Sequence, residues 1–369
     1  MRVCFISHSD SPWAPYYAGH MVRRGHEVHV VSFHPKPIPG VTLHYVGSRH
    51  RDGRLPKSLY LLRIPRVRKL LRELRPDVVM ATYVMSNGLI GAATRCCPLV
   101  ISTRGIDWKF PLPDLLSNAV VRWIARRADA LHASSHELVE LLTALGAPGE
   151  RFTVIPLGTD SRQFVPRTEA RPAGPKRIIC TRKHHPLYDN DTIVRALREL
   201  RDEGREFECR FVGSGSRLEE TKRLAAELGL ASCTEFLGDR EHAELPRLLA
   251  WADLYVSAAR SDGAPSSLFE AMSCGLFPVV TDVRANRDWL RHERDGFLFA
   301  PGDAAACARG LRFAWDRTEV VAEAARRNRQ LVCDELDREA GLERLEALLL
   351  SVAEHRYPPA SSEGESVPT

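Results

Sequence analysis

Apolar runs of four to six residues, each closed by turn-forming residues, alternate along the chain with amphipathic stretches of helical length. Parallel strands joined by crossover helices produce this pattern. Val3–Ile6, Val28–Phe33, Val78–Ala81, Leu99–Thr103, Ala130–Ala133 and Phe152–Pro156 read as the strands of one unit. Arg177–Thr181, Glu208–Val212, Thr234–Leu237, Leu254–Ser257 and Phe277–Thr281 read as those of a second. Between the two, Phe164–Lys176 carries Pro166, Pro172, Gly174 and Pro175 in a polar stretch, the composition of an interdomain linker. From Thr318 to about Ala353, Leu and Val recur at helical intervals among Ala, Glu and Arg, which predicts long helices. The expected fold is α/β, with two Rossmann-like, doubly wound domains facing across a cleft, at 1–165 and 166–335. A C-terminal helix over 336–355 can pack back on the first domain, and 356–369 has too little to bury to be more than a disordered tail. Ligands of such folds bind where the carboxyl ends of the strands open into the cleft.

Composition narrows the function. With 369 residues, 44% apolar and 27% charged, the chain has room for two ordinary globular domains. No apolar run approaches the roughly 18 to 20 residues that cross a bilayer, and Val3–Ile6 is too short for a signal-peptide core, so a cytoplasmic protein is expected. The nine cysteines are scattered and never spaced C-x-x-C, which suggests neither a disulfide framework nor a zinc site. A net charge of +5, without zinc-finger spacing or an RNP-like motif, gives no reason to expect a nucleic-acid partner. The charge is uneven, however. Between Arg49 and Arg75 ten Lys or Arg stand against Asp52 and Glu73, interleaved with Leu59, Leu62, Val67, Leu70, Leu71 and Leu74 at roughly helical spacing. This stretch, 49–75, suits peripheral contact with an anionic membrane face. It equally suits a solvated basic face on a helix whose apolar side packs inward.

The most informative segment is Ser257-Ala-Ala-Arg-Ser-Asp262-Gly263-Ala-Pro265-Ser266-Ser267-Leu268-Phe-Glu270-Ala-Met-Ser-Cys-Gly275. A strand ends, a Gly-Pro loop turns and a helix begins. Unpaired backbone N–H groups at the start of that helix, at Ser266 and Ser267, are ready partners for phosphate oxygens. Glu270 follows Asp262 by eight residues, so both carboxylates can face one pocket, and a carboxylate accepts paired sugar hydroxyls well. The same spacing also suits a turn-forming Asp and a first-turn acid that offsets the helix dipole.

This segment resembles the acid-x7-acid signature of the retaining nucleotide-sugar glycosyltransferases of family 4, which have the GT-B fold. Asp262 stands where many members have Glu, and Ser261-Asp262-Gly263 with Glu270-Ala271-Met272 and Cys274-Gly275 looks like a bacterial group 1 subgroup with Asp there. The resemblance implies that Glu270 holds the donor ribose and Asp262 meets donor-sugar hydroxyls. It also implies that the amides of Ser266 and Ser267, with Leu268 and Gly263 beside them, hold the diphosphate. Upstream, Cys180-Thr-Arg182-Lys183-His-His-Pro-Leu187 follows the first strand of the second domain. Arg182 matches the family's diphosphate-binding Arg. The family's frequent Lys five residues later is Leu187 here, so Lys183 or a neighbouring histidine would have to supply the second contact. Asp189-Asn190-Asp191 imitates a D-x-D metal motif but runs straight into an amphipathic helix, so helix capping is the expectation and no metal is expected. Gly213, in the turn Phe211-Val-Gly213-Ser-Gly215, and Gly238, ending the next strand, border the nucleotide in the family; the turn lacks the third glycine of a dinucleotide fingerprint.

In the first domain Arg104-Gly105-Ile106-Asp107 resembles the family's H-G-x-D segment facing the donor sugar, with Arg104 in place of His. A guanidinium cannot serve as a base near neutral pH, so it offers charge and hydrogen bonds to a diphosphate, an acidic sugar or an acidic acceptor, or it pairs with Asp107. Asp10 and Trp13, in a first loop without the family's paired glycines, suggest acceptor contact. The resemblance spans about residues 1 to 345. It implies a retaining, metal-independent, hexosyltransferase-type enzyme with no cofactor beyond a nucleotide-diphosphate sugar as co-substrate. In that family the acceptor attacks from the leaving-group face and a phosphate oxygen takes its proton. The acceptor expected is a glycan, a lipid-linked sugar or a small molecule, reached in the cytoplasm or at the inner membrane face. A nucleotide-sugar epimerase of similar fold and an inactive sugar-nucleotide-binding protein are the alternatives.

Overall fold

The computed structural model describes residues 1–11, 13–47, 61–104, 114–168, 174–262 and 265–354. The chain divides into two compact units, one built from Met1–Pro156 together with the chain from Leu342, the other from Leu157–Gly341.

In the first unit seven strands form one parallel sheet: β1 (Arg2–Ile6), β2 (Glu27–Ser32), β3 (Thr42–Tyr45), β4 (Val78–Thr82), β5 (Leu99–Thr103), β6 (Ala130–Ala133) and β7 (Phe152–Val154), in the order β3-β2-β1-β4-β5-β6-β7. The near-continuous apolar runs of β1, β4 and β5 fit strands covered on both faces, and those residues are buried. The connecting helices are α1 (Ala14–Arg23), α2 (Ile64–Leu74), α3 (Leu89–Thr94), α4 (Asp114–Arg127) and α5 (His136–Ala144). Prolines in the first turn open α1 and α2, where a missing N–H costs nothing, and Ser135 caps α5 by accepting from the Leu138 amide.

The second unit holds a six-stranded parallel sheet: β8 (Lys176–Cys180), β9 (Phe207–Val212), β10 (Thr234–Gly238), β11 (Leu254–Ser257), β12 (Phe277–Thr281) and β13 (Phe297–Phe299), in the order β10-β9-β8-β11-β12-β13. Its helices are α6 (Asn190–Asp202), α7 (Leu218–Glu227), α8 (Leu245–Trp251), α9 (Ser266–Ser273), α10 (Arg284–Arg287), α11 (Ala304–Asp316), α12 (Thr318–Glu335) and the start of α13 (Arg338–Ala353). Successive strand residues supply opposite cores, as the two-residue period requires. Ile178, Leu254, Val256 and Val279 pack with α6 and α11 through Leu197, Leu200 and Leu311. Ile179, Tyr255 and Val280 pack with α8, α9 and α12 through Leu249, Phe269, Met272 and Val332. In each sheet the strand order reverses once, between β1 and β4 and between β8 and β11, and at such a reversal the loops beyond the carboxyl ends diverge to form a ligand crevice.

Several details differ from the sequence reading. Strands β3 and β13 are additional: β3 has four residues after a Pro- and Gly-rich approach and β13 only three, so neither carries enough apolar signal to stand out. The two units divide between Pro156 and Leu157. Phe164, read as the start of a linker, is fully buried in the second core, and its carbonyl accepts from Arg329 and from the Ser273 hydroxyl, each at 2.6 Å. Gly158 shows why the chain is committed by then: at φ +64° a Cβ there would lie 1.9 Å from the Leu336 carbonyl oxygen, so only glycine allows the bridge between Thr159 and Asp337. Asp189 occupies the position before α6 in a left-handed conformation, yet its carboxylate makes no capping bond and pairs with Arg260 at 2.7 Å instead.

Candidate functional site

The loops after β8 and β11 and the start of α9 bring the second unit's candidate residues together. Arg182 stands two residues beyond β8. Its Nη2 donates to Asp262 Oδ2 at 2.6 Å and its Nη1 to Ser267 Oγ at 2.7 Å, while Tyr255, from β11, donates its phenolic hydrogen to the same Ser267 oxygen at 2.9 Å. The Tyr188 ring lies against the guanidinium, 4.2 Å from its carbon to the ring centroid. Side-chain exposure is only 10% for Arg182 and 16% for Asp262, so this ion pair is largely desolvated. Burial acts against the Arg182 cation, but the Asp262 charge and the Tyr255 and Tyr188 hydroxyls outweigh it, and its pKa rises above the ordinary value. The guanidinium therefore stays charged, and its buried Nε has no hydrogen-bond partner among the described residues. The two loops are tied to each other as well: the Arg260 amide donates to the Leu187 carbonyl at 2.8 Å.

Helix α9 starts at Ser266 after Pro265, and no side chain caps it. The helix geometry leaves the Ser266 and Ser267 amides without intrahelical acceptors. The Leu268 amide, by contrast, donates to the Pro265 carbonyl at 2.9 Å, and the Leu268 side chain belongs to the core. The Leu268 amide, expected beside the phosphate, is thus engaged within the first turn of the helix.

Glu270, within α9, is 6% exposed. Its Oε1 accepts from His242 Nε2 at 3.0 Å. His242 opens a short 3-10 turn, His242–Glu244, after β10, and no motif or periodicity had singled it out. Gly213 and Gly238 lie next to each other, the Gly213 amide donating to the Gly238 carbonyl at 2.8 Å. A Cβ at Gly213 would sit 3.0 Å from the Arg182 carbonyl oxygen, so the turn after β9 supports the strand end that carries Arg182. Lys183 is exposed, and its carbonyl accepts from Asn190 Nδ2. Asp191 is held by Arg217 and by Thr221, and Asp189 by Arg260, so both acids of the D-x-D look-alike are in hydrogen bonds. Gly263 lies outside the described residues.

In the first unit Arg104 follows β5 and is flanked by aromatic rings, 4.3 Å from the Tyr17 centroid and 5.3 Å from that of Trp13. Trp13, expected to touch an acceptor, thus also steadies a cation. Asp10 pairs with His34 Nδ1 at 3.1 Å. Asp107, the alternative partner of Arg104, lies outside the described residues. Nearby, His132 is fully buried, accepting from the Ser102 hydroxyl at Nδ1 and donating from Nε2 to the Ile155 carbonyl. Burial and the Arg104 charge push its pKa down to about 3, so it is a neutral structural residue.

Two family models match the chain. The one described as glycosyl transferases group 1 covers residues 161–331, and the one described as glycosyltransferase family 4 covers residues 16–163. The amylovoran biosynthesis glycosyltransferase AmsK of Erwinia amylovora is 28% identical over 49% of this chain and 46% of its own length. A GDP-mannose-dependent alpha-(1-6)-phosphatidylinositol monomannoside mannosyltransferase of Mycolicibacterium smegmatis is 27% identical over 63% of this chain and 66% of its own length. The chain thus matches between about half and two thirds of the length of these relatives. Among solved structures, Anabaena HepE in complex with UDP and glucose aligns over 95% of this chain and all of its own, with a TM-score of 0.75 at 19% identity, a likeness of fold. With two doubly wound parallel sheets and adjoining matches to both family models, the chain belongs to the group 1, family 4 glycosyltransferases of the GT-B fold.

Proposed function

We propose that this chain transfers a sugar from a nucleoside-diphosphate donor to a hydroxyl acceptor, with retention of configuration and without a metal. The observation that supports this most is the buried constellation of Arg182, Asp262 and Ser267 at the open start of α9, with Glu270 on the same helix. A leaving diphosphate needs positive charge and N–H donors in a poorly solvated place, where each counts for most. Arg182 and the Ser266 and Ser267 amides supply both. When the diphosphate arrives, Arg182 shares or exchanges its bond to Asp262, which becomes available to donor-sugar hydroxyls. Glu270 accepts from the ribose. The acceptor is held by the first unit through Asp10, Trp13 and Arg104, and catalysis is positioning and leaving-group stabilisation rather than covalent chemistry. HepE was solved with UDP and the mycobacterial relative is named for a GDP-sugar and a lipid-linked acceptor, which favours a uridine or guanosine nucleotide and a glycan or lipid-linked acceptor.

Helix α2 supports a second, peripheral role. Its Val67 and Leu71 are buried, while Arg66, Lys69 and Arg72 project from the other side and Leu62 is 73% exposed just before it. This face docks on anionic lipid. Sedimentation with vesicles should show binding that needs phosphatidylserine or phosphatidylglycerol and fades with salt; equal binding to neutral vesicles would oppose it. Residues 49–60 of the basic stretch lie outside the described residues. Among the described residues no helix is long and apolar enough to cross a membrane.

The test of the main proposal is mass-spectrometric turnover of UDP-, GDP- and ADP-linked sugars with EDTA present, with and without an acceptor pool. Acceptor-dependent release of one nucleoside diphosphate is expected. Isomerisation without acceptor would indicate an epimerase, and binding without release an inactive sugar-nucleotide-binding protein.

A further inference from the structure

Glu270 is a buried carboxylate with little around it to satisfy it. Among the described residues its one hydrogen bond comes from His242 Nε2 to Oε1, at 3.0 Å. A buried carboxylate with a single donor is costly unless something else completes its shell, and a second acceptor oxygen with no protein partner is an opening for a ligand donor.

The histidine is itself held firmly. The turn that carries it is closed by a reciprocal pair of bonds: the Glu241 side chain caps the Glu244 backbone, and the Glu244 carboxylate accepts from the Glu241 amide at 3.0 Å. On its other side the imidazole meets Phe164 edge-on, 5.5 Å between centroids. Phe164 is fully buried with its carbonyl bound by Arg329 and Ser273. The imidazole side chain remains 42% exposed, so it borders solvent rather than the core. An acceptor carboxylate requires the hydrogen on Nε2, so the contact orients the carboxylate plane through one oxygen and leaves the other presented.

We infer that His242 is a positioning residue for the donor: by fixing Oε1 of Glu270 it aims Oε2 at a ribose hydroxyl, and thereby makes the site selective for ribonucleoside over deoxyribonucleoside diphosphates. The inference rests on the reading of Glu270 as the ribose-binding group and adds the residue that makes that group selective. Its logic is that of outer groups that orient ligand-binding carboxylates elsewhere, where loosening the orienting bond weakens recognition without removing the ligand-binding group. A site built to hydrogen-bond a hydroxyl penalises the analogue that lacks it, because the site's own polar atom is then left unpaired.

Calorimetric titration of the full-length protein with UDP and GDP, and with their 2′-deoxy and 3′-deoxy counterparts, tests this. Wild type should bind the better ribonucleotide roughly 10-fold to 100-fold more tightly than at least one deoxy form. His242→Ala should reduce that ratio to within about 3-fold, by weakening the ribonucleotide and not the deoxynucleotide, at an unchanged unfolding temperature; His242→Gln, whose amide can donate in place of Nε2, should restore most of it. In turnover assays His242→Ala should raise donor KM far more than it lowers kcat. A histidine that merely holds the fold would instead weaken every nucleotide equally. If His242→Ala keeps the full discrimination while Glu270→Gln loses it, the positioning role is wrong and the ribose reading of Glu270 stands. If Glu270→Gln also keeps the discrimination, the ribose reading fails and the positioning role with it.

Discussion

Glu270 and Glu346 are both 6% exposed, and both receive a histidine hydrogen bond, yet they are built differently. Glu346, on α13 where it joins the first unit, is saturated: His20 reaches Oε2 at 3.0 Å, His26 reaches Oε1 at 2.8 Å, and Arg24 Nε lies 3.1 Å from Oε2. Burial pushes its pKa up, but the bonds from His26 and His20 and the Arg24 charge outweigh that, and it falls below the ordinary glutamate value. Among the described residues Glu270 has one donor on one oxygen. On the function proposed above, spare acceptor capacity is what separates a carboxylate that takes a ligand from one that ties a helix to its unit. Equal burial, by itself, says nothing about which is which.

The comparison breaks most visibly at Glu346. Its replacement by alanine removes the acceptor shared by the buried His20, the largely buried His26 and the more exposed Arg24, and losing a charged acceptor costs a buried donor about 1 to 3 kcal/mol. Denaturant unfolding of Glu346→Ala should show a loss of that order; a change under about 1 kcal/mol would mean the cluster is not what ties α13 to the first unit. The next effect is at Glu270. Glu270→Gln should lower kcat/KM for the donor about 100-fold, the worth of hydrogen bonds to a charged group, while the unfolding midpoint stays close to wild type.

The smallest effect is a slope with pH. His132, depressed to about 3 when folded, takes up a proton in the unfolded chain near its ordinary value of 6.5, so the unfolded state binds more protons in between. Stability should fall as pH drops through that window, by at most about 1.4 kcal/mol per pH unit. Glu346 adds to the fall below its ordinary 4.5, as its lowered folded-state pKa is approached. Stability measured from pH 7 to 4.5 should decline less steeply in His132→Asn than in wild type, and matching slopes would rule out a neutral buried His132.

Much of this was legible in the sequence because parallel strands buried on both faces leave apolar runs that turn residues punctuate. β8, β11 and β12 were readable on those grounds, whereas β3 and β13 are too short to stand out. The eight-residue spacing of Asp262 and Glu270 allowed two carboxylates at one loop-helix junction, and the resemblance to the family's acid-x7-acid signature is what marked them as a pair. Position just past a strand marked the Arg182 loop as one that opens toward a ligand, and the resemblance to the family's diphosphate-binding Arg singled out Arg182 within it. His242 was not legible: it meets Glu270 from 28 residues away across separate elements, and no local pattern encodes that. Asp189 illustrates the opposite failure, where a local capping pattern was present but Arg260, 71 residues on, competes successfully for the carboxylate. Local rules locate elements; long-range partners decide what individual polar groups do.

The measurement that bears most directly on the account is acceptor-dependent release of nucleoside diphosphate from the nucleotide-sugar panel with EDTA present, run on wild type and Glu270→Gln side by side. The account predicts release from one donor by wild type and a loss of about 100-fold in the variant, with both proteins equally folded. No release from any donor, or equal release by the two proteins, would contradict it.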